Sequence, residues 1–359
     1  QTQLKEKDFH FLKIIMLGII MFYQKLCMKK DCRNSKVKMI VNEKNIKIWS
    51  TIGPRATLGI AALNLAEKTK DFLVLTCDVS TSAGLDRFRK TYPEKFIELG
   101  IAEQNLIGVA SGLASESFNV VTTTFAPFQA IRCAEQIKVN LGYMKQNVCM
   151  VGIASGLVLG ALGYTHCCIE DVGVMRSIPG ITIISPADSL ETIKALEAVV
   201  SSNIPAYIRL TGGSNNPIVY KKDYEFEIGK SIKLKSGKDI TIFCAGATVN
   251  SALDAALILE EKNISATVIN MHTIKPIDES AIDYACNNSK LIATVEEHNV
   301  IGGLGSAVSE HKSKISGSPK QLFLGVQDVY GKCGNYKFML DKHRLTSQSI
   351  AEDIILNYK

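Results

Sequence analysis

Short apolar, β-branched runs alternate with longer helix-patterned segments along this chain, and they do so in two separate blocks. This alternation constrains the fold more than any other feature. A strand that reaches the next strand only through a helix lies parallel to it, and helices then cover both faces of the sheet. In the first block, residues 46–215, the strand-like runs are Phe72–Cys77, Val120–Thr124, Val148–Ile153, Ile181–Ile184 and Ala206–Leu210. Helical patterns fall at Thr57–Glu67, Ala102–Ala114, Pro127–Leu141 and Ser189–Val200.

Residues 216–238 turn polar and lysine-rich, which reads as a connector, with room for a short hairpin. The second block begins at Ile240–Cys244. Strand patterns follow at Ala266–Asn270, Leu291–Glu296 and Leu322–Val326, and helical ones at Asn250–Lys262, Asp278–Cys286, Leu304–Lys314 and Ser347–Leu356. The expected fold class is therefore α/β: two consecutive α/β domains with mainly parallel sheets. The expected division is an N-terminal extension outside the fold (1–38), a first domain (39–215), a linker (216–238) and a second domain (239–359).

The formal charge of +6 belongs to the amino-terminal end. Residues 1–47 hold 11 Lys/Arg against 4 Asp/Glu, which leaves 30 basic and 31 acidic residues for the rest. The body thus has no basic excess to track a nucleic acid. Residues 9–23 are mostly apolar but short for a membrane span, with Lys13 in their midst. An extension outside the fold is the favoured reading. A signal-like segment and translated sequence upstream of a start at Met28 or Met39 are the alternatives. None of the 10 cysteines forms a C-x-x-C pair, and several sit in apolar runs. Free buried thiols and a reducing cytoplasm follow as expectations. No disulfide is assigned to the neighbours Cys167 and Cys168.

The most informative stretch is Phe96-Ile-Glu-Leu-Gly-Ile-Ala-Glu-Gln-Asn105, where a strand breaks at Gly100 and a helix starts with Glu103 in its first turn. Alone, such a glutamate only complements the helix dipole. Other motifs surround it: Pro54-Arg-Ala-Thr57, Asp78-Val-Ser-Thr-Ser82, Thr123-Thr-Phe-Ala-Pro-Phe128, Gly163-Tyr-Thr-His166, Glu170-Asp-Val-Gly-Val-Met-Arg176 and Val295-Glu-Glu-His-Asn-Val-Ile-Gly-Gly-Leu-Gly305. In this order and spacing, over residues 46–359, the chain resembles the C-terminal section of transketolases, which some microbes encode as a separate subunit.

The resemblance implies a pyrimidine-binding domain followed by a transketolase C-terminal domain, and it implies thiamine diphosphate as cofactor. Glu103 matches the glutamate that shares a proton with the aminopyrimidine, which then deprotonates the thiazolium carbon. Small and apolar neighbours, Leu106 to Gly112, fit a dry helix there. Phe125 and Phe128 match rings that pack on the pyrimidine, with core packing as the bland alternative. Ile101, beside the motif glutamate, is expected at the cofactor too. Ile131 falls where some relatives carry a third aromatic. His166 matches the active-site histidine, which hydrogen-bonds the donor sugar and ferries protons. Arg55, Ser82 and Arg209 fall near positions that bind the sugar phosphate, an arginine suiting phosphate recognition. For Arg209, at a strand end, a surface salt bridge is the alternative. His298 and His272 are expected to be structural, and Gly302-Gly-Leu-Gly305 a tight turn.

Leu162 departs from the pattern. Many transketolases carry an acidic residue four positions before the motif histidine, and leucine cannot accept that hydrogen bond. A modified sugar, such as one in surface-polysaccharide synthesis, becomes plausible. The Gly-Asp-Gly motif by which the family's other half holds its metal is not found in the sequence. Mg2+ and the diphosphate are therefore expected on an N-terminal partner subunit, with self-dimerisation and an α2β2 assembly. Ketol transfer from a ketose to an aldose leads as activity. A beta chain of a 2-oxo acid dehydrogenase, a 1-deoxyxylulose-5-phosphate synthase-like enzyme and a catalytically silent chain are the rivals.

Overall fold

The computed structural model describes residues 39–358, so the expected extension 1–38 lies outside the described residues. In chain order the strands are β1 (Phe72–Thr76), β2 (Phe96–Glu98), β3 (Asn119–Phe125), β4 (Val148–Ile153), β5 (Thr182–Ile184), β6 (Ala206–Arg209), β7 (Ile232–Lys235), β8 (Ile240–Cys244), β9 (Ala266–Asn270), β10 (Thr273–Lys275), β11 (Leu291–Asn299) and β12 (Lys320–Val326). They form a seven-stranded sheet, β10-β5-β6-β4-β3-β1-β2, and a five-stranded sheet, β12-β11-β8-β9-β7. All pairings are parallel except β10 with β5 and β7 with β9. The structure thus has two α/β layers of mostly parallel strands.

The central strands β1, β4 and β8 read as mostly apolar runs because they are buried along their whole length. Phe72 and Val74 of β1 join one core, and Leu73 and Leu75 join the other. β8 divides in the same way, with Ile242 on one side and Phe243 on the other. Each core runs through both sheets, so the two layers share their apolar interior.

The order β2-β1-β3-β4 makes the chain reverse direction between β1 and β3. In open parallel sheets the crevice at the carboxyl ends of the strands at such a point is the natural ligand position. The loops after β1, β2, β3 and β4 all emerge along this edge.

Three elements depart from the sequence reading. The strand β7 lies within the expected linker and pairs antiparallel with β9. The strand β10 leaves the second block to pair with β5 at the edge of the first sheet. Three residues carry too little periodicity to announce such a strand, and its pairing is decided by the docking of the layers. The segment 127–141, read as one helix, breaks instead into helices Ala126–Ala130 and Ala134–Ile137 and wide turns to Tyr143.

The helix Glu43–Lys68 is kinked at Gly53, whose φ of +81° suits a residue without a side chain. Further along, Gly59 lies so close to the loop after β1 that an added Cβ would sit 2.0 Å from the Gly84 carbonyl oxygen. Replacing a mid-helix glycine by alanine normally gains up to about 1 kcal/mol of helix propensity. Overpacking against rigid backbone costs about 1–3 kcal/mol. Gly59→Ala is therefore expected to destabilise the protein, read as a lower urea midpoint; a higher midpoint would contradict this packing.

Candidate active site at the carboxyl edge of the first sheet

Glu98, the last residue of β2, ties two of the loops together. Its Oε1 accepts the backbone N–H of Asp78, after β1, at 2.7 Å, and that of Gly100 at 3.0 Å. Gly100 adopts a φ of +67°, and the helix Glu103–Ser115 starts three residues later. The Glu103 side chain is only 4% exposed, and its Oε2 accepts from Arg132 Nη1 at 2.7 Å. The Arg132 guanidinium also lies over the Phe128 ring, 4.2 Å from its centre. A carboxylate so far from water needs a hydrogen-bonding counter-charge, and Arg132 provides it.

Next to this pair stand three rings. Phe125 ends β3, Phe128 follows in the short helix Ala126–Ala130, and His166 lies in the loop after β4. Their centroids are 5.6 to 6.2 Å apart and they meet edge to face, a favourable aromatic geometry. Thr165 Oγ1 is 3.0 Å from His166 Nδ1, which orients the imidazole. Phe125, Phe128 and His166 are all half-buried. Ile101 and Ile131 are exposed, 77% and 43%. Leu162 is 58% exposed in the turn Gly160–Leu162 before His166.

Arg55 and Ser82 come from neighbouring backbone. The loop carrying Ser82 packs on the helix residues Arg55 and Ala56, so tightly that a Cβ at Gly84 would lie 2.6 Å from the Ala56 Cα. Ser82 is exposed and Arg55 half-buried, with burial lowering the pKa of the Arg55 guanidinium. Arg209 is a correction to the sequence reading. It is 2% exposed, its Nε meets both carboxylate oxygens of Asp171 at 2.9 to 3.0 Å, and its Nη2 donates to the carbonyls of Glu297 and Cys168. Burial works against its charge, but Asp171 and Glu297 outweigh that and raise its pKa. It is a structural cation inside the protein and is not available to a substrate.

The sequence reading missed the support that the second sheet lends to the His166 loop. Glu297, in β11, accepts the N–H of Leu157 at 2.6 Å and the hydroxyl of Tyr336 at 2.6 Å. Asn299 N–H donates to the Ile169 carbonyl at 2.8 Å. Tyr164 Oη lies 2.9 Å from His343 Nε2, and its ring packs on Tyr330, whose hydroxyl donates to Glu170 at 2.8 Å. Gly156 lies against the Glu297 carboxylate with no room for a side chain. The run Glu296-Glu297-His298 is visible as a motif, but its contacts with Leu157 and Gly173 span 140 and 125 residues of chain.

His298 lies 3.8 Å from both Asp171 and Glu296. Burial lowers its pKa to about 4, against the pull of Asp171. Glu296 accepts the N–H groups of Leu304 and Gly305, and burial nonetheless pushes its pKa up to about 7. His272 is buried, stacked on Phe226, and lowered to about 4 by the same cause. Six of the eight described cysteines are buried. Burial raises Cys77 to about 11 and Cys133 to about 12. Among the described residues no helix is long and apolar enough to cross a membrane, and no group of three or more His, Cys, Asp or Glu could hold a metal ion.

Residues 51–216 match the family profile described as transketolase, pyrimidine binding domain, and residues 229–350 match transketolase, C-terminal domain. A putative transketolase C-terminal section of Methanocaldococcus jannaschii is 37% identical over 86% of this chain and 96% of its own length. One of the subunits of an apulose-4-phosphate transketolase of Phocaeicola vulgatus is 42% identical over 81% of this chain and 92% of its own. Among solved structures, a split gene transketolase described as an inactive beta4 tetramer superposes with a TM-score of 0.78 at 36% identity, covering 84% of this chain and 96% of that one.

The buried histidine has a measurable consequence. In the unfolded chain His298 titrates near the ordinary 6.5, and in the folded protein near 4. As pH falls through this window the unfolded chain gains a proton that the folded one refuses, so stability drops. In His298→Asn this slope is absent. The stability of the wild type relative to the variant, from denaturant midpoints, should therefore shrink as pH falls from about 6.5 to about 4. A difference independent of pH would refute the placement.

Proposed function

We propose that this chain, which belongs to the transketolase family, is the pyrimidine-binding and C-terminal subunit of a split transketolase that moves a two-carbon ketol unit from a ketose donor to an aldose acceptor. The observation that carries the reading is the buried Glu103 carboxylate at a helix start, beside the edge-to-face cluster of Phe125, Phe128 and His166. These residues fit the pyrimidine end of thiamine diphosphate: a desolvated carboxylate to share a proton with a ring nitrogen, and aromatic surface to hold a flat ring and keep water away. When bound, thiamine diphosphate supplies the nucleophilic carbon that carries the two-carbon unit.

On this reading Glu103 holds a proton at its carboxyl oxygen toward the ring nitrogen. Phe125 and Phe128, with Ile101 at the rim, exclude water from that proton. His166, oriented by Thr165, hydrogen-bonds the donor's carbonyl or hydroxyl and moves a proton there. Arg55 and Ser82 receive the donor's anionic end, where a guanidinium binds a phosphate strongly. Leu162 offers no acceptor to a donor hydroxyl, which favours an unusual sugar. Two relatives support that direction by their names, one for apulose-4-phosphate and one, in Clostridium sp., for 6-deoxy-6-sulfo-D-fructose.

The diphosphate and its Mg2+ are proposed to lie on an N-terminal partner subunit, within an α2β2 assembly in the cytoplasm. The split-gene relative supports the need for a partner, since its tetramer of beta chains is described as inactive. The test is co-purification with that partner, followed by a donor screen with thiamine diphosphate and Mg2+. Glu103→Ala in the reconstituted complex should lower kcat by at least about 100-fold, the usual scale of a lost proton-transfer group. Turnover retained near the wild-type rate would end the assignment.

A further inference from the structure

Arg132 occupies the places at Glu103 and Phe128 that an aminopyrimidine ring would have to occupy. Its Nη1 donates to Glu103 Oε2 at 2.7 Å, and the guanidinium lies 4.2 Å from the centre of the Phe128 ring. A guanidinium is flat, presents N–H donors along its edge, and stacks on aromatic faces. An aminopyrimidine is likewise flat and hydrogen-bonds along its edge. One carboxylate oxygen and one ring face cannot serve both at once.

The backbone of Arg132 is held independently of its side chain. Its N–H donates to the Pro127 carbonyl at 3.1 Å, and its carbonyl accepts from Gln104 Nε2 at 3.3 Å. The side chain is 44% exposed, whereas Glu103 beneath it is 4% exposed. The guanidinium therefore has solvent on one side into which it can swing without disturbing the fold.

We propose that Arg132 is an internal stand-in for the cofactor's pyrimidine ring: in the chain by itself its guanidinium pairs with Glu103 on Phe128, and the incoming ring displaces it. The inference rests on the cofactor reading of Glu103 given above. It explains how this chain can fold with a carboxylate buried at its reaction centre. A buried charge without a partner is strongly destabilising, and Arg132 serves as that partner until Glu103 shares a proton with the ring. Displacement of the pair then opposes cofactor binding.

The test is calorimetric titration of thiamine diphosphate into the assembled apo complex in Mg2+, with wild type, Arg132→Met and Arg132→Lys. Methionine keeps much of the length and removes the guanidinium. Arg132→Met should bind about ten-fold more tightly, because no ion pair then has to be broken at Glu103 before the ring binds; that factor corresponds to about 1.4 kcal/mol. Its apo form should also melt at a lower temperature than wild type, and the gap should close when cofactor is added. Arg132→Lys, which keeps the charge but loses the flat fork, should fall between the two. Affinity unchanged or weakened in Arg132→Met, with the wild-type complex binding normally, overturns the stand-in and makes Arg132 at most an ordinary cofactor contact. If the wild-type complex takes up no cofactor, the reading of Glu103 itself fails and the stand-in fails with it.

Discussion

The surroundings of the candidate site hang on a charge pair that solvent does not reach. Asp171 and Arg209 meet at 2.9 Å with side chains 0% and 3% exposed. Such a pair adds little net stability, since desolvation offsets most of the attraction, but losing either half strands the other charge. Both residues are therefore held to one geometry. Arg209 ends β6, Asp171 opens the helix Asp171–Arg176, and Arg209 Nη2 reaches carbonyls of Cys168 and Glu297. One guanidinium thus joins the edge of the first sheet, the base of the His166 loop and a strand of the second sheet. Tyr207, which donates to Asp171 at 2.8 Å, and His298 complete the cluster.

This junction gives the second sheet a role at the site without contributing any of the clustered rings. Glu297 holds the start of the His166 loop, Asn299 its end, and Tyr330 and His343 its middle. The apolar cores run across the same boundary, and β10 pairs with β5 over it. A loop anchored at so many points has few conformations to lose when a substrate binds, which is the general benefit of preorganisation.

Much of the site is legible in the chain. Glu103, Phe125, Phe128 and His166 stand in ordered motifs at the ends of recognisable strands, and the parallel sheet brings those ends to one edge. Arg132 escapes such a reading, although a signal exists: it lies four residues beyond Phe128, the spacing at which neighbours meet on a helix. It is hidden because that stretch looks like one continuous helix. Arg209 misleads for the opposite reason. A strand-end arginine looks the same in sequence whether it faces solvent or an aspartate 38 positions earlier.

What the sequence determined by itself is periodic and local. Doubly buried strands require unbroken apolar runs, and helices between them require parallel pairing, so the α/β class and most elements follow from the order of residue types. What the tertiary structure decided is the fate of the charges and of the shortest segments. Whether a carboxylate is buried, and which cation answers it, depends on groups that the fold gathers from distant positions. Glu103 with Arg132, and Asp171 with Arg209, acquire their meaning only when desolvation makes an unpaired charge too costly to keep. The strand β10 is decided in the same way, since three residues pair with β5 only because the docked layers bring them there.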